Sequence, residues 1–321
     1  MPLPALATLW RIVDERMSSA LSLSLGCGFL YLLLGGCNPG SAPSGASSDT
    51  PAPDNTVALC HARADGTFVL QHHRPEDLPA HLLHGDGLPT GPVPGRADQV
   101  FDATCRAVAD TGTGPCPPGM AHIAGEAGRG GFCIDRWEAH LAAWSPYEVP
   151  ASGIARTAPG VIPQGYISGD VAEAACRAAG KRLCTSSEWL RACQGPRHTT
   201  YPYGTTYLPG ACNEGRPAHP VLELFGDATD WSPAQMNDPR LNQLPDTVDP
   251  TGSNPVCQSA EGVFDLHGNL HEWVADAEGT FRGGFYVDAR INGEGCLYRT
   301  TAHSRTYHDY STGFRCCADA R

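Results

Sequence analysis

The chain has 321 residues and a formal charge of -12, with 34 acidic against 22 basic side chains. A nucleic-acid partner is excluded on this balance, because tracking a phosphate backbone needs clustered Lys and Arg, and no such cluster occurs. The 37 glycines and 28 prolines point to a loop-rich architecture, and fourteen cysteines point away from a reducing compartment.

Arg11 and Arg16 precede the uncharged apolar run 20–36, which ends in Leu34-Gly35-Gly36-Cys37. Small residues before a cysteine let a signal peptidase reach the bond, so residues 1–37 are predicted to be a lipoprotein signal with Cys37 as the lipidation site. Met17 is an alternative start. An uncleaved membrane anchor is the other reading, although the run is shorter and richer in Gly than the ~20 apolar residues of a typical span. The predicted localisation is the bacterial cell envelope, on the outer membrane or its periplasmic face, held to the membrane by the lipid anchor. With Cys27 and Cys37 assigned to the signal and the anchor, twelve cysteines remain. An even number in an oxidising compartment predicts up to six disulfides, whereas zinc would favour Cys-x-x-Cys pairs, which are absent.

Residues 38–56 are Gly, Ser, Ala, Pro and Asp with little to bury, and are predicted to be a flexible tether. Residues 57–112 form a small module. It opens with Val57-Ala58-Leu59-Cys60-His61, turns at Asp65-Gly66-Thr67, and reaches Pro79-Ala80-His81-Leu82-Leu83-His84-Gly85-Asp86. This resembles a short Cys-His and His-Leu-x-His-Gly-Asp module of secreted proteins. His61, His81, His84 and Asp86 carry ligand types that can gather round a metal. The plainer reading has them packing and hydrogen-bonding in a unit held by Cys60 and Cys105.

The main domain, 116–320, opens with two short strands in Pro117–Ile123 and Gly131–Glu138 around a Gly-rich turn that Cys116 and Cys133 would close. Asp170-Val171-Ala172-Glu173 reads as a capping box opening a helix that ends at Gly180. Thr185-Ser186-Ser187-Glu188 is a second box, opening a helix that carries Trp189, Leu190 and Cys193 and stops at Gly195. Beyond Gln194 regular elements are few.

Several motifs now stand in order: Gly119-Met120, Phe132-x-Ile134-Asp135-x-x-Glu138, Cys176 with Gly180-Lys181-Arg182-Leu183, Thr185-x-x-Glu188-Trp189 and Tyr201-Pro202-Tyr203-Gly204. They continue with Gly262-Val263-Phe264-Asp265-Leu266-x-Gly268-Asn269-x-x-Glu272-Trp273, Arg282-Gly283-Gly284 and Gly313-Phe314-Arg315-Cys316. The set resembles the formylglycine-generating (sulfatase-modifying factor) family over about 117–320. The resemblance implies an α+β, loop-rich fold related to C-type lectins, with few regular elements, here preceded by the small Cys/His module. It further implies bridges Cys176 to Cys316 and Cys193 to Cys296. The partners of Cys184, Cys212, Cys257 and Cys317 stay open.

Two carboxylates seven positions apart, with a Gly-Asn turn between them, can present oxygens to one hard cation. The resemblance implies calcium on Asp265, Gly268, Leu270 and Glu272, the middle two through backbone oxygens, and a second site at Asn213. An ordinary turn before Trp273 is the alternative. The family's oxidase chemistry relies on two cysteines that bind copper(I) after Arg-Gly-Gly, and soft thiolates suit that ion. Here the stretch Phe285 to Gly295 contains no cysteine, so copper is not expected. Cys296 is either a reactive thiol or the inert partner of Cys193. His271 is another histidine near this stretch, more plausibly structural than ligating. Two functions follow: a binding or scaffold protein with a protein or glycan ligand, or an oxidoreductase with a changed metal site around Asp288, His303 and His308.

Overall fold

The computed structural model describes residues 56–112, 114–125, 130–226 and 231–321. The signal segment, Cys37 and nearly all of the tether lie outside these residues. Among the described residues no helix is long and apolar enough to cross a membrane.

In the module, strands β1 (Val57–Ala62) and β2 (Phe68–His73) pair antiparallel with Cys60 opposite Leu70. Asp65 makes the turn: its carboxylate accepts from the backbone N–H and the hydroxyl of Thr67, and Gly66 takes the positive φ that the turn demands. A 3-10 turn (Pro75–Asp77) leads into the short helix α1 (Leu78–Leu83). Strands β3 (Pro92–Val93), β4 (Arg96–Phe101) and β5 (Ala107–Ala109) form a small sheet that Cys105 ties to Cys60 of the hairpin. Leu59, Leu78, Leu82 and Leu88 bury against Tyr201, Tyr203, Val256 and the Cys212–Cys257 bridge, so the module shares a core with residues of the main domain. Arg136 adds a hydrogen bond across the same contact, donating to the carbonyl of Thr90.

The main domain rests on two four-stranded sheets. The first runs β10 (Arg182–Leu183), β15 (Cys316–Asp319), β7 (Phe132–Asp135), β6 (Met120–Ile123), antiparallel throughout. The second runs β13 (Arg299–Thr300), β12 (Phe281–Arg282), β11 (His271–Trp273), β14 (Thr312–Phe314), with β11 and β14 parallel. A ribbon of β8 (Ala139–Leu141) and β9 (Ala155–Thr157) is hydrogen-bonded to neither and packs against the second through Ala139, Leu141 and Ala155. Long irregular stretches join these elements, giving the mixed α+β, loop-rich architecture that the Gly and Pro content calls for.

The helices are short. In α2 (Gly169–Ala178) the N-cap is Ser168, whose hydroxyl accepts from the Val171 N–H, and not Asp170 as the sequence pattern predicts. The displacement has a cause: Asp170 and Glu173 both bind the Arg305 guanidinium, so neither reaches back to the helix start. In α3 (Ser186–Gln194) both bonds of the predicted Thr185/Glu188 box are present, and Gly195 ends the helix at φ 61°. Helices α4 (Pro220–Phe225) and α5 (Pro233–Met236) begin with Pro, which lacks the N–H that a first turn leaves orphaned.

Two apolar clusters flank the sheets. One gathers Ile123, Ile134, Trp189, Val263 and Leu266; the other gathers Leu183, Trp273, Phe281 and Phe314. Each fully buried large side chain stabilises the fold by roughly 1.5–3 kcal/mol. Of six disulfides, Cys176–Cys316, Cys184–Cys317 and Cys193–Cys296 run through these two clusters, and Cys60–Cys105, Cys116–Cys133 and Cys212–Cys257 lie in others. The last two cysteines of the chain therefore clamp β15 to different elements, Cys316 to α2 and Cys317 to the residue after β10.

Candidate functional site

Glu272, in the middle of β11, lies at the centre of the domain. Arg315 follows β14 directly, and the parallel pairing of β11 with β14 delivers its guanidinium to Glu272. The fork is bidentate, Nε to Oε2 at 2.6 Å and Nη2 to Oε1 at 2.6 Å, with both side chains 1% exposed. The Trp189 indole donates to Glu272 Oε2 at 2.8 Å. Arg315 spends its remaining donors on the carbonyls of Phe264, Asp135 and Arg136. One carboxylate thus joins α3, β11 and the C-terminal strand.

A second buried carboxylate, Glu138, accepts from the Leu270 N–H and the Asn269 amide. Asn269, held at φ 57°, accepts through its side-chain oxygen from Asn213 and from the Asp249 N–H, and the Asn269 N–H donates to the Asn213 carbonyl. Asp265, at φ 59°, accepts from the Gly252 N–H. Burial, followed by repulsion from Asp265 and Glu272, raises the Glu138 carboxyl well above its usual range, and burial raises Asp265 as well. Protonation is thus available to relieve the excess of three carboxylates over one guanidinium.

The calcium set implied by the resemblance does not fit this arrangement. Asp265, Gly268, Leu270 and Glu272 are close in sequence, but three of the four lone-pair directions of Glu272 are filled by Arg315 and Trp189. A divalent cation on Glu272 would also sit against a buried guanidinium. The Asn213 amide donates to Asn269 and to the Thr247 carbonyl, as in a structural hydrogen-bond network.

The loop after Gly284 is filled with apolar side chains. A Cβ on Gly284 would lie 2.3 Å from the Ala289 Cα, so only glycine allows residues 285–288 to fold back, with the Phe285 N–H donating to the Asp288 carbonyl. Phe285 packs on His271 and Tyr310, and Tyr286 is buried with its hydroxyl donating to Asn242. Cys296 is buried in its bridge to Cys193, which removes the reactive-thiol reading.

Asp288, His303 and His308 do not converge. Asp288 caps the loop, accepting from the backbone N–H groups of Arg290 and Ile291 and from the Tyr298 hydroxyl. His303 stacks on Tyr307 at 3.7 Å, and His308 pairs with Asn237. His271 lies among Phe281, Phe285 and Tyr298, where burial lowers its pKa to about 3 and keeps it neutral. The changed metal centre that would carry an oxidoreductase is therefore not assembled from these residues.

In the module the structure brings together three of the four singled-out side chains. Asp86 is buried, and its Oδ2 lies 2.9 Å from His61 Nδ1 and 2.8 Å from His81 Nδ1. Its Oδ1 accepts from the Ala62 N–H at 2.7 Å. His84 caps α1 at the surface and takes no part. Against burial, which pushes it up, these hydrogen bonds hold the Asp86 carboxyl below its usual value.

Sequence reading alone missed Arg315 and Glu138 as organising residues. Both lie in motifs that mark the family, Gly-Phe-Arg-Cys and Asp-x-x-Glu, but nothing local says that one faces Glu272 and the other Asn269. It also missed His267, buried against Tyr201 with neither ring nitrogen hydrogen-bonded.

A bovine (Bos taurus) protein named inactive C-alpha-formylglycine-generating enzyme 2 is 26% identical over 188 residues, 55% of this chain and 56% of that protein, so the chain spans about half the length of this relative. Among solved structures, the Major Tropism Determinant U1 variant aligns over 84% of this chain and 73% of its own, with a TM-score of 0.41 and 12% identity. CarF aligns over 61% of this chain and 89% of its own, with a TM-score of 0.35 and 14% identity. The model of the sulfatase-modifying factor enzyme 1-like domain matches residues 123–320, well over half of the chain, and the chain belongs to that family.

Proposed function

We propose that the chain is a lipid-anchored protein of the bacterial envelope whose sulfatase-modifying-factor domain binds a protein or glycan ligand and does not generate formylglycine. The observation that carries this reading is the state of the sulfurs. All twelve cysteines of the described residues are bridged, and the segment where the resemblance would put a copper(I) dithiolate holds Phe285 and Tyr286. A relative named inactive supports the same reading. The rim of that loop exposes the apolar side chains Ile291 (65%) and Leu297 (54%), which are open to contact with another molecule.

The lipoprotein part rests on the Leu34-Gly35-Gly36-Cys37 box and on the disulfide-rich body behind a short polar tether. The test has two arms. Purified full-length protein is incubated with copper(I), oxygen and a cysteine-containing sulfatase-type peptide, and mass spectrometry is expected to find no aldehyde product and no retained copper. Metabolic labelling with a fatty acid is expected to mark the wild type and not Cys37→Ser. Turnover of the peptide would overturn the non-catalytic reading, and lack of label on the wild type would overturn the anchor.

A further inference from the structure

We propose that His61, His81 and Asp86 form a binding site for a first-row divalent metal ion of the zinc class, independent of the main domain's function. Among the described residues this is the single group of three or more potential ligands that converges, with one ligand atom from each lying within 4.8 Å of the others. Two imidazoles aim the same ring nitrogen at one oxygen of one carboxylate. Imidazole and carboxylate together suit zinc and its neighbours, and a three-ligand set leaves a position for water or an external donor.

The support is built in. Asp86 is pinned by the Ala62 N–H through its other oxygen, which leaves Oδ2 directed at the histidines. His61 sits on β1 next to Cys60, whose bridge to Cys105 fixes the strand, and His81 sits on α1 five residues before Asp86. His73, on β2, lays its ring 4.0 Å from that of His81 and closes one side. The side chains of His61 and His81 are 39% and 22% exposed, so an ion has a path in from solvent. Ligand atoms around a tetrahedral zinc stand roughly 3.4 Å apart at bond lengths of about 2.0–2.1 Å. To reach it, the two nitrogen–oxygen distances of 2.8 and 2.9 Å open by about 0.5 Å, and the third pair of ligand atoms, within 4.8 Å, adjusts to the same spacing. Both Nδ1 atoms must lose the proton directed at Asp86 on binding, which a neutral imidazole does by tautomerising to the Nε2–H form.

The experiment uses the full-length chain in detergent, stripped with chelator and titrated with zinc(II) alone by calorimetry and with cobalt(II) alone by visible absorption. The expected result is one zinc per chain, with cobalt bands of a low-coordinate nitrogen–oxygen site. His61→Gln and His81→Gln are expected to weaken binding at least about 10-fold. His84→Ala is expected to bind as the wild type does. Asp86→Asn keeps an oxygen for the Ala62 N–H and so keeps the fold, yet is expected to lose the metal. Thermal unfolding of each variant checks that the module is intact. Absence of zinc binding by the wild type, or binding unchanged in both His61→Gln and His81→Gln, overturns the proposal.

Discussion

Replacing Glu272 by Gln removes one charge from the centre of the domain without changing its shape. Arg315, 1% exposed, then has no ionised partner in direct contact, and breaking a buried pair in this way costs about 3–5 kcal/mol. Part of that cost is geometric. Both Glu272 oxygens accept, Oε1 from Arg315 and Oε2 from Arg315 and Trp189, so either placement of the Gln amide nitrogen faces a donor with a donor. Glu138→Gln is the chemical control. Its two oxygens also accept, so the amide nitrogen faces a donor there too, but burial already drives this carboxyl towards the neutral form and no guanidinium touches it, so it is expected to cost less than Glu272→Gln. Urea unfolding with the disulfides intact measures both variants. At a slope of about 2–3 kcal/mol per molar the Glu272→Gln midpoint falls by about 1.5 M with the slope unchanged. Calcium and chelator are expected to leave the difference between wild type and Glu272→Gln unaltered, because binding to Glu272 would stabilise the wild type alone. A Glu272→Gln protein within about 1 kcal/mol of wild type, or one whose deficit appears only in calcium, would refute the assignment of Glu272 to Arg315.

Thr185→Ala deletes the hydroxyl that accepts from the Glu188 N–H and is expected to lower stability by about 1 kcal/mol in the same urea assay. Burial, followed by Arg216, lowers His219 to about pKa 4, from 6.5 for the free side chain. The unfolded chain therefore binds a proton first as pH falls. The contribution of His219 is full above pH 6.5 and is lost towards pH 4, at most about 3 kcal/mol. His219→Asn, which keeps a capping acceptor for the Val221 N–H, is expected to flatten that limb of the stability profile relative to wild type. Cys193→Ser with Cys296→Ser opens a bridge spanning 103 residues and is expected to cost about 4–5 kcal/mol in thermal unfolding. Peptide mapping after alkylation without reductant is expected to find no modified cysteine from Cys60 onward in the wild type.

The legible parts of the sequence were those set by neighbours along the chain. Thr185 and Glu188 lie one helical turn apart and need nothing else, so their box could be read in advance. Asp170 and Glu173 carry the same pattern, but Arg305, more than 130 residues away, competes for both carboxylates, and the cap moves to Ser168. The Asp65-Gly66-Thr67 turn was likewise local, whereas the meeting of His61 with His81 depended on where β1 and α1 pack.

By itself the sequence determined the family, through an ordered set of short motifs, and the loop-rich α+β character, through its Gly and Pro content. It also determined that residues 285–295, directly after Gly284, hold no cysteine, since composition along a segment needs no coordinates. Tertiary structure alone decided that Cys184 meets Cys317 and Cys212 meets Cys257, and that Glu272 serves Arg315. The physical reason is range. Capping and turn preferences act over three or four residues, whereas a buried charge or thiol takes whichever partner the packed sheets bring within reach.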